Sequence, residues 1–85
     1  MIPALRIDAR GRRCPQPVID LAHGIRDVAV GEVVELVADD PVAAVDIPAW
    51  CWTQRHEFLG SAPTDEPPGA EPAGAATAYL VRRLS

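Results

Sequence analysis

The chain contains no lysine: its eight basic residues are all arginine, set against twelve Asp and Glu for a formal net charge of −4. That balance argues against nucleic acid as a partner, because phosphate binding calls for a basic surface. With Ala, Pro and Val abundant, the arginine-only usage reads as compositional bias and not as a functional demand. Long apolar runs are missing too. No stretch approaches the ~20 residues of a membrane span, and no leader-like apolar run follows basic residues near the start. The expected location is therefore the cytoplasm, with no membrane partner. Cysteine is scarce. Cys14 and Cys51 form neither a CxxC redox motif nor a metal-ligand pair, and in a reducing compartment both should be thiols. No Ser/His/Asp set, phosphate loop or metal cluster is visible, so no metal and no bound cofactor is expected.

What is present suits one small domain over residues 1–85, with 48% hydrophobic and 24% charged residues. Residues 4–9 alternate, with Leu5 and Ile7 between Arg6 and Asp8, as a half-buried strand does. From Val18 the apolar positions 18, 21, 22 and 25 follow one helix face, with Asp20, His23, Arg26 and Asp27 opposite and Gly31 as the expected stop. Residues 32–38 (EVVELVA) form the strongest strand, apolar on both faces and so expected at the centre of its sheet. Asp40 and Pro41 start the next helix as cap and first residue. Pro48 should divide that helix, with Asp46 recapping a segment over 47–54. A short strand over 56–59, a long Pro/Gly/Ala-rich loop over 60–75 and a last strand over 77–84 follow. The order β-α-β-α-β-β predicts a two-layer α/β sandwich: a four-stranded mixed sheet with both helices on one face.

The stretch with chemical interest is GRRCPQPVID, residues 11–20. Pro15 fits the first position of a helix, which makes Cys14 the expected N-cap. Pro17 removes one backbone donor there and leaves the Gln16 N–H to face the sulfur. Arg12 and Arg13 precede it. A helix N-terminus and adjacent cations lower a cysteine pKa, so Cys14 has the makings of a nucleophile on a support stiffened by Pro15 and Pro17. The opposing reading is core filler, the commonest fate of a lone cysteine. Cys51 fits that reading on the apolar side of a helix beside Ile47 and Trp50. Trp52 points elsewhere and is expected to be exposed, at a partner surface. His23 is expected in solvent and His56 in local hydrogen bonding. Turn formation explains Asp39, and capping explains Asp40.

LRIDARGRRCPQPVID resembles the opening of the TusA (SirA-like) sulfur-carrier family, in which a strand, an Asp, a Gly and a Cys-Pro-x-Pro motif lead into the first helix. GEVVELVADDP and DIPAWCWTQRHEF extend the resemblance through residues 5–59, and it takes in the last strand as well. The resemblance implies that Cys14 accepts sulfane sulfur as a persulfide from a cysteine desulfurase or rhodanese-type donor. It then passes the sulfur to a cysteine of an acceptor relay protein, serving tRNA thiolation, molybdenum cofactor synthesis or sulfur oxidation. It further implies that the persulfide is a transient covalent species and that the protein is a carrier without a substrate pocket of its own; a monomer is expected. A regulatory or binding module on the same fold is the competing function. Arg12 stands where the family usually has an apolar residue, and Arg55 where a helix-ending glycine is common.

Overall fold

The computed structural model describes residues 2–63 and 76–85. The second strand organises the rest. β2 (Val33–Ala38) is apolar on both sides and lies between β1 (Leu5–Asp8) and β4 (Thr77–Arg82), with β3 (Glu57–Pro63) beyond β4. β1 runs parallel to β2, while β2–β4 and β3–β4 are antiparallel. A parallel neighbour needs a crossover, and α1 (Gln16–Gly24) supplies it. The second helix, α2 (Ala43–Gln54), connects β2 to β3. This is the predicted two-layer α/β architecture with a four-stranded mixed sheet.

One core joins both helices to one sheet face. Val34, Leu36 and Ala38 of β2 meet Tyr79 and Val81 of β4, Leu21 of α1, and Ala43, Ile47 and Cys51 of α2. Leu21 and Ile47 have no exposed surface, and each such side chain contributes about 2 kcal/mol by leaving water. Val37 points to the other face, where it clusters with Ala76 and Ala78. The alternation in EVVELVA therefore reports a strand buried on both sides.

Several boundaries differ from the sequence expectation: β4 ends at Arg82 and not at Leu84, and α2 begins at Ala43 with Val42 as its cap, two residues beyond the expected cap at Asp40. α1 stops at Gly24 and not at Gly31, tightening into a 3-10 turn over Ile25–Asp27. Gly24 packs against β1 so closely that a methyl there would land on Ile7 Cδ1. The Arg83 guanidinium draws in the Val28 carbonyl at 2.6 Å and ends the helical run; Gly31, at φ 94°, serves the turn into β2. α2 is continuous through Pro48, whose missing N–H forfeits one helical bond without breaking the helix. Asp46 is thus a first-turn residue and recaps nothing. β3 continues to Pro63 because β4 pairs with it throughout, around a bulge between Phe58 and Gly60. Positions 60–63 of the expected loop are strand, and the remainder of that loop lies outside the described residues. Finally, Arg55 adopts φ 62°, ψ 43°, the left-handed position where glycine is favoured. The His56 N–H donates to the Cys51 carbonyl at 2.9 Å, closing the helix end in a Schellman arrangement.

Candidate functional site

The segment after β1 is held by the end of β2. The Ala9 N–H donates to the Val37 carbonyl at 2.7 Å, and Gly11, at φ 81°, turns the chain. The Gly11 N–H donates to both carboxylate oxygens of Asp39, at 3.0 and 3.1 Å. Three residues on, the Cys14 N–H donates to Asp40 Oδ2 at 2.7 Å, while Asp40 Oδ1 accepts the Val42 N–H at 3.0 Å. Asp40 is buried, and these two backbone donors, with Arg13 nearby, hold its carboxyl below the usual range. The consecutive aspartates therefore fasten the cysteine loop to the sheet and to the start of α2. A turn and a cap were expected of them; the long-range ties were not.

The cap itself is shifted by one residue. Pro15, at φ −95°, ψ 16°, is the N-cap of α1, and Cys14 precedes it across a cis peptide. The Gln16 N–H, expected to face the sulfur, donates instead to the Arg13 carbonyl at 2.7 Å. Cys14 thus stands at the corner of a turn closed from Arg13 to Gln16. Pro17 is buried, so the second proline anchors the first helical turn in the core.

The charge around the sulfur also reverses the expectation. Arg12 turns along α1 to Asp20, with Nε 2.6 Å from Oδ2, and the Gln16 side-chain amide reaches the same carboxylate at 3.4 Å. The sulfur faces an acid. Cys14 Sγ donates to Asp46 Oδ2 at 2.9 Å. That hydrogen bond, then partial desolvation, then the charges of Asp46 and Asp40, push the thiol pKa above its ordinary value. The lowered thiol pKa expected from Arg12, Arg13 and the helix N-terminus is overturned, because Arg12 is engaged elsewhere and a carboxylate is in contact. Cys14 is exposed and unbridged.

The other residues fall where expected. Cys51 is buried in the core, and burial pushes its thiol up to about 11. Trp52 is 83% exposed, whereas Trp50 packs against the core. His23 is exposed. His56 Nδ1 accepts the Leu84 N–H at 3.2 Å, its ring 5.4 Å from that of Trp50, and burial lowers its pKa. Asp46 is the residue the sequence reading missed. It lies 32 positions from Cys14, and its only local signal was an acid in a helix's first turn.

Fold and site together define a small α/β sandwich that presents one thiol on a fastened loop. The family model described as Sulfurtransferase TusA matches residues 5–67, well over half of the chain, and the chain belongs to that family. Membership carries a sulfur-carrier role in general and dealings with sulfur-relay proteins. Among solved structures, a SirA-like protein from Desulfitobacterium hafniense superposes with a TM-score of 0.67 at 18% identity, covering 95% of this chain and 99% of that one. At that identity the likeness shows the fold. No described helix is long and apolar enough to cross a membrane.

Proposed function

We propose that Cys14 is the sulfur-carrying residue. It takes sulfane sulfur as Cys14–S–SH from a cysteine desulfurase or rhodanese-type protein and yields it to a cysteine of an acceptor relay protein. The observation that carries this reading is an exposed thiol on a loop fixed from two sides by Asp39 and Asp40. Such a sulfur reaches another protein's cysteine without a pocket of its own. Each exchange is attack of a thiolate on a persulfide's outer sulfur. Arg13, Pro15, Gln16 and Pro17 shape the turn that presents Cys14, and Arg12 anchors it to α1 through Asp20. We place the carrier in the cytoplasm as a monomer, with no cofactor beyond the transient persulfide. The downstream use is tRNA thiolation, molybdenum cofactor synthesis or sulfur oxidation.

Incubation with a cysteine desulfurase and cysteine, without added reductant, should add one sulfur atom to the protein by intact mass, and Cys14→Ser should add none. Equal loading of Cys14→Ser would overturn the assignment. A second reading, a binding or regulatory module, draws on one observation: the Asp46 hydrogen bond favours the thiol over the thiolate. No loading of the wild type alongside tight binding to a relay protein would select it.

A further inference from the structure

Presenting a sulfur does not require a carboxylate in contact with it, yet Asp46 supplies one. Asp46 is half-buried in the first turn of α2, where the helix dipole favours negative charge. Its Oδ2 accepts from Cys14 Sγ at 2.9 Å. Among the described residues no arginine pairs with it: Arg12 is bound to Asp20, Arg10 to Asp8, Arg6 to Glu35 and Arg82 to Glu57. Arg83 is turned to the backbone carbonyls of Ile25, Arg26 and Val28, in the turn that follows α1. Asp40, the other acid near the sulfur, has both oxygens taken by the Cys14 and Val42 N–H groups and feels the charge of Arg13. Asp39 and Asp40 are likewise without a direct cation partner among the described residues but spend their oxygens on backbone N–H groups, so Asp46 is the acid that meets the sulfur itself with no cation of the described chain paired to it.

We propose that Asp46 is a specificity-determining residue: it holds Cys14 as a thiol between transfers and confines fast sulfur exchange to partners that bring a cation to this carboxylate. The second half rests on the carrier reading, whereas the restraint on the thiol does not. When Cys14 loads, it gives up its proton and its sulfur forms a bond to the outer sulfur of the donor's persulfide. The donor's S–S bond breaks, and the departing donor thiolate takes up a proton. Sulfane sulfur moves with no net oxidation. The step is slow while an anionic sulfur must form against Asp46, and a cation set beside that carboxylate removes the repulsion. The fitting partner is a protein surface with Arg or Lys next to its own persulfide cysteine. An acidic or neutral surface leaves Cys14 protonated.

Two methanethiosulfonate reagents of matched size test this, one ending in trimethylammonium and one in sulfonate. Each transfers its thioalkyl group to the Cys14 thiolate and releases methanesulfinate, so the atoms balance and no persulfide is needed. Rates are read by intact mass at pH 7 and low salt, with Cys14→Ser as the blank for Cys51. The cation-to-anion rate ratio, divided by that of 2-mercaptoethanol, should be about tenfold in the wild type. It should fall at least about threefold in Asp46→Asn, mostly through faster reaction with the anion. Asp46→Ser, which removes the charge in another shape, should match Asp46→Asn; Asp46→Glu should keep most of the preference. Glu57→Gln, which removes a charge paired with Arg82 at the end of the sheet away from Asp40, should leave the ratio unchanged. An unaltered ratio in both uncharged variants would overturn the proposal whatever the loading experiment shows. Failure to load with an intact charge preference would instead count against the carrier reading.

Discussion

The two cysteines of this chain are both held as thiols, by opposite means. Cys51 faces Ile47 and the sheet with 1% of its surface exposed, and its thiol is raised to about 11 because an anion there would lose its water. Cys14 stands in solvent, and its thiol is raised because a carboxylate touches it. Burial is a permanent restraint that only unfolding lifts. A neighbouring charge can be cancelled by another charge arriving from outside. A raised thiol pKa therefore means inertness at one position and conditional reactivity at the other.

The largest effect expected from pulling the two apart is functional. Cys14→Ser should lose all sulfur loading while its thermal unfolding curve stays close to that of the wild type, since the side chain is exposed. Cys51→Ser should do the reverse. A hydroxyl set among Ile47, Ala43 and the sheet costs about 2 kcal/mol, which lowers Tm by roughly 10 °C in a domain of this size, with loading at Cys14 preserved. If Cys51→Ser abolished loading in folded protein, the division between the two thiols would be wrong.

Asp40→Asn comes next and acts through the loop. The carboxylate receives the Cys14 and Val42 N–H groups and its pKa is depressed below 3.8. A group whose folded pKa is lowered contributes stability fully above its unfolded value and loses it as pH falls through the folded one. The urea midpoint of Asp40→Asn should thus lie below that of the wild type at pH 7, and the gap should close below about pH 4. Asp8, lowered to about 2 by Arg10, loses its contribution over the same acid range in both proteins. A gap that persists unchanged at pH 3 would deny Asp40 this role. The smallest effect is expected at Arg55, remote from the sulfur. Arg55→Gly relieves a left-handed residue and should gain about 1 kcal/mol in chemical denaturation, with no change in the rate of Cys14 alkylation.

Much of the fold could be read from short-range pattern. The alternation through Val34, Leu36 and Val37 announced a strand buried on both faces, and the spacing of Leu21 and Ile25 announced the helix face that covers one of them. What escaped was set by contacts between distant residues. β3 runs on to Pro63 because Thr77 and Ala78 pair with Pro63 and Ala62, a fact absent from the Gly- and Ala-rich composition of that stretch. At the site, Cys14, Arg12, Arg13, Pro15, Gln16 and Pro17 were all legible as one unit. Their charges were misjudged because proximity in sequence stood in for proximity in space. Arg12 is two residues from Cys14 yet committed to Asp20, whereas Asp46 touches the sulfur from another helix. Pro15 was displaced by one position for a local reason: the turn from Arg13 to Gln16 occupies the backbone that a cap at Cys14 would have needed.

The fastening of the cysteine loop by Asp39, Asp40 and Asp46 has a consequence for measurement. All three ties come from residues 26 to 32 positions away in the chain, so none survives local detachment of the loop. Once detached, Cys14 is an ordinary cysteine without a carboxylate at its sulfur and reacts faster with an uncharged alkylating reagent. Its modification rate under native conditions therefore rises above that of the fastened state in proportion to the fraction of molecules whose loop is open. The unlabelled protein carries its own reporter of local stability, read at the same atom that we assign to sulfur transfer.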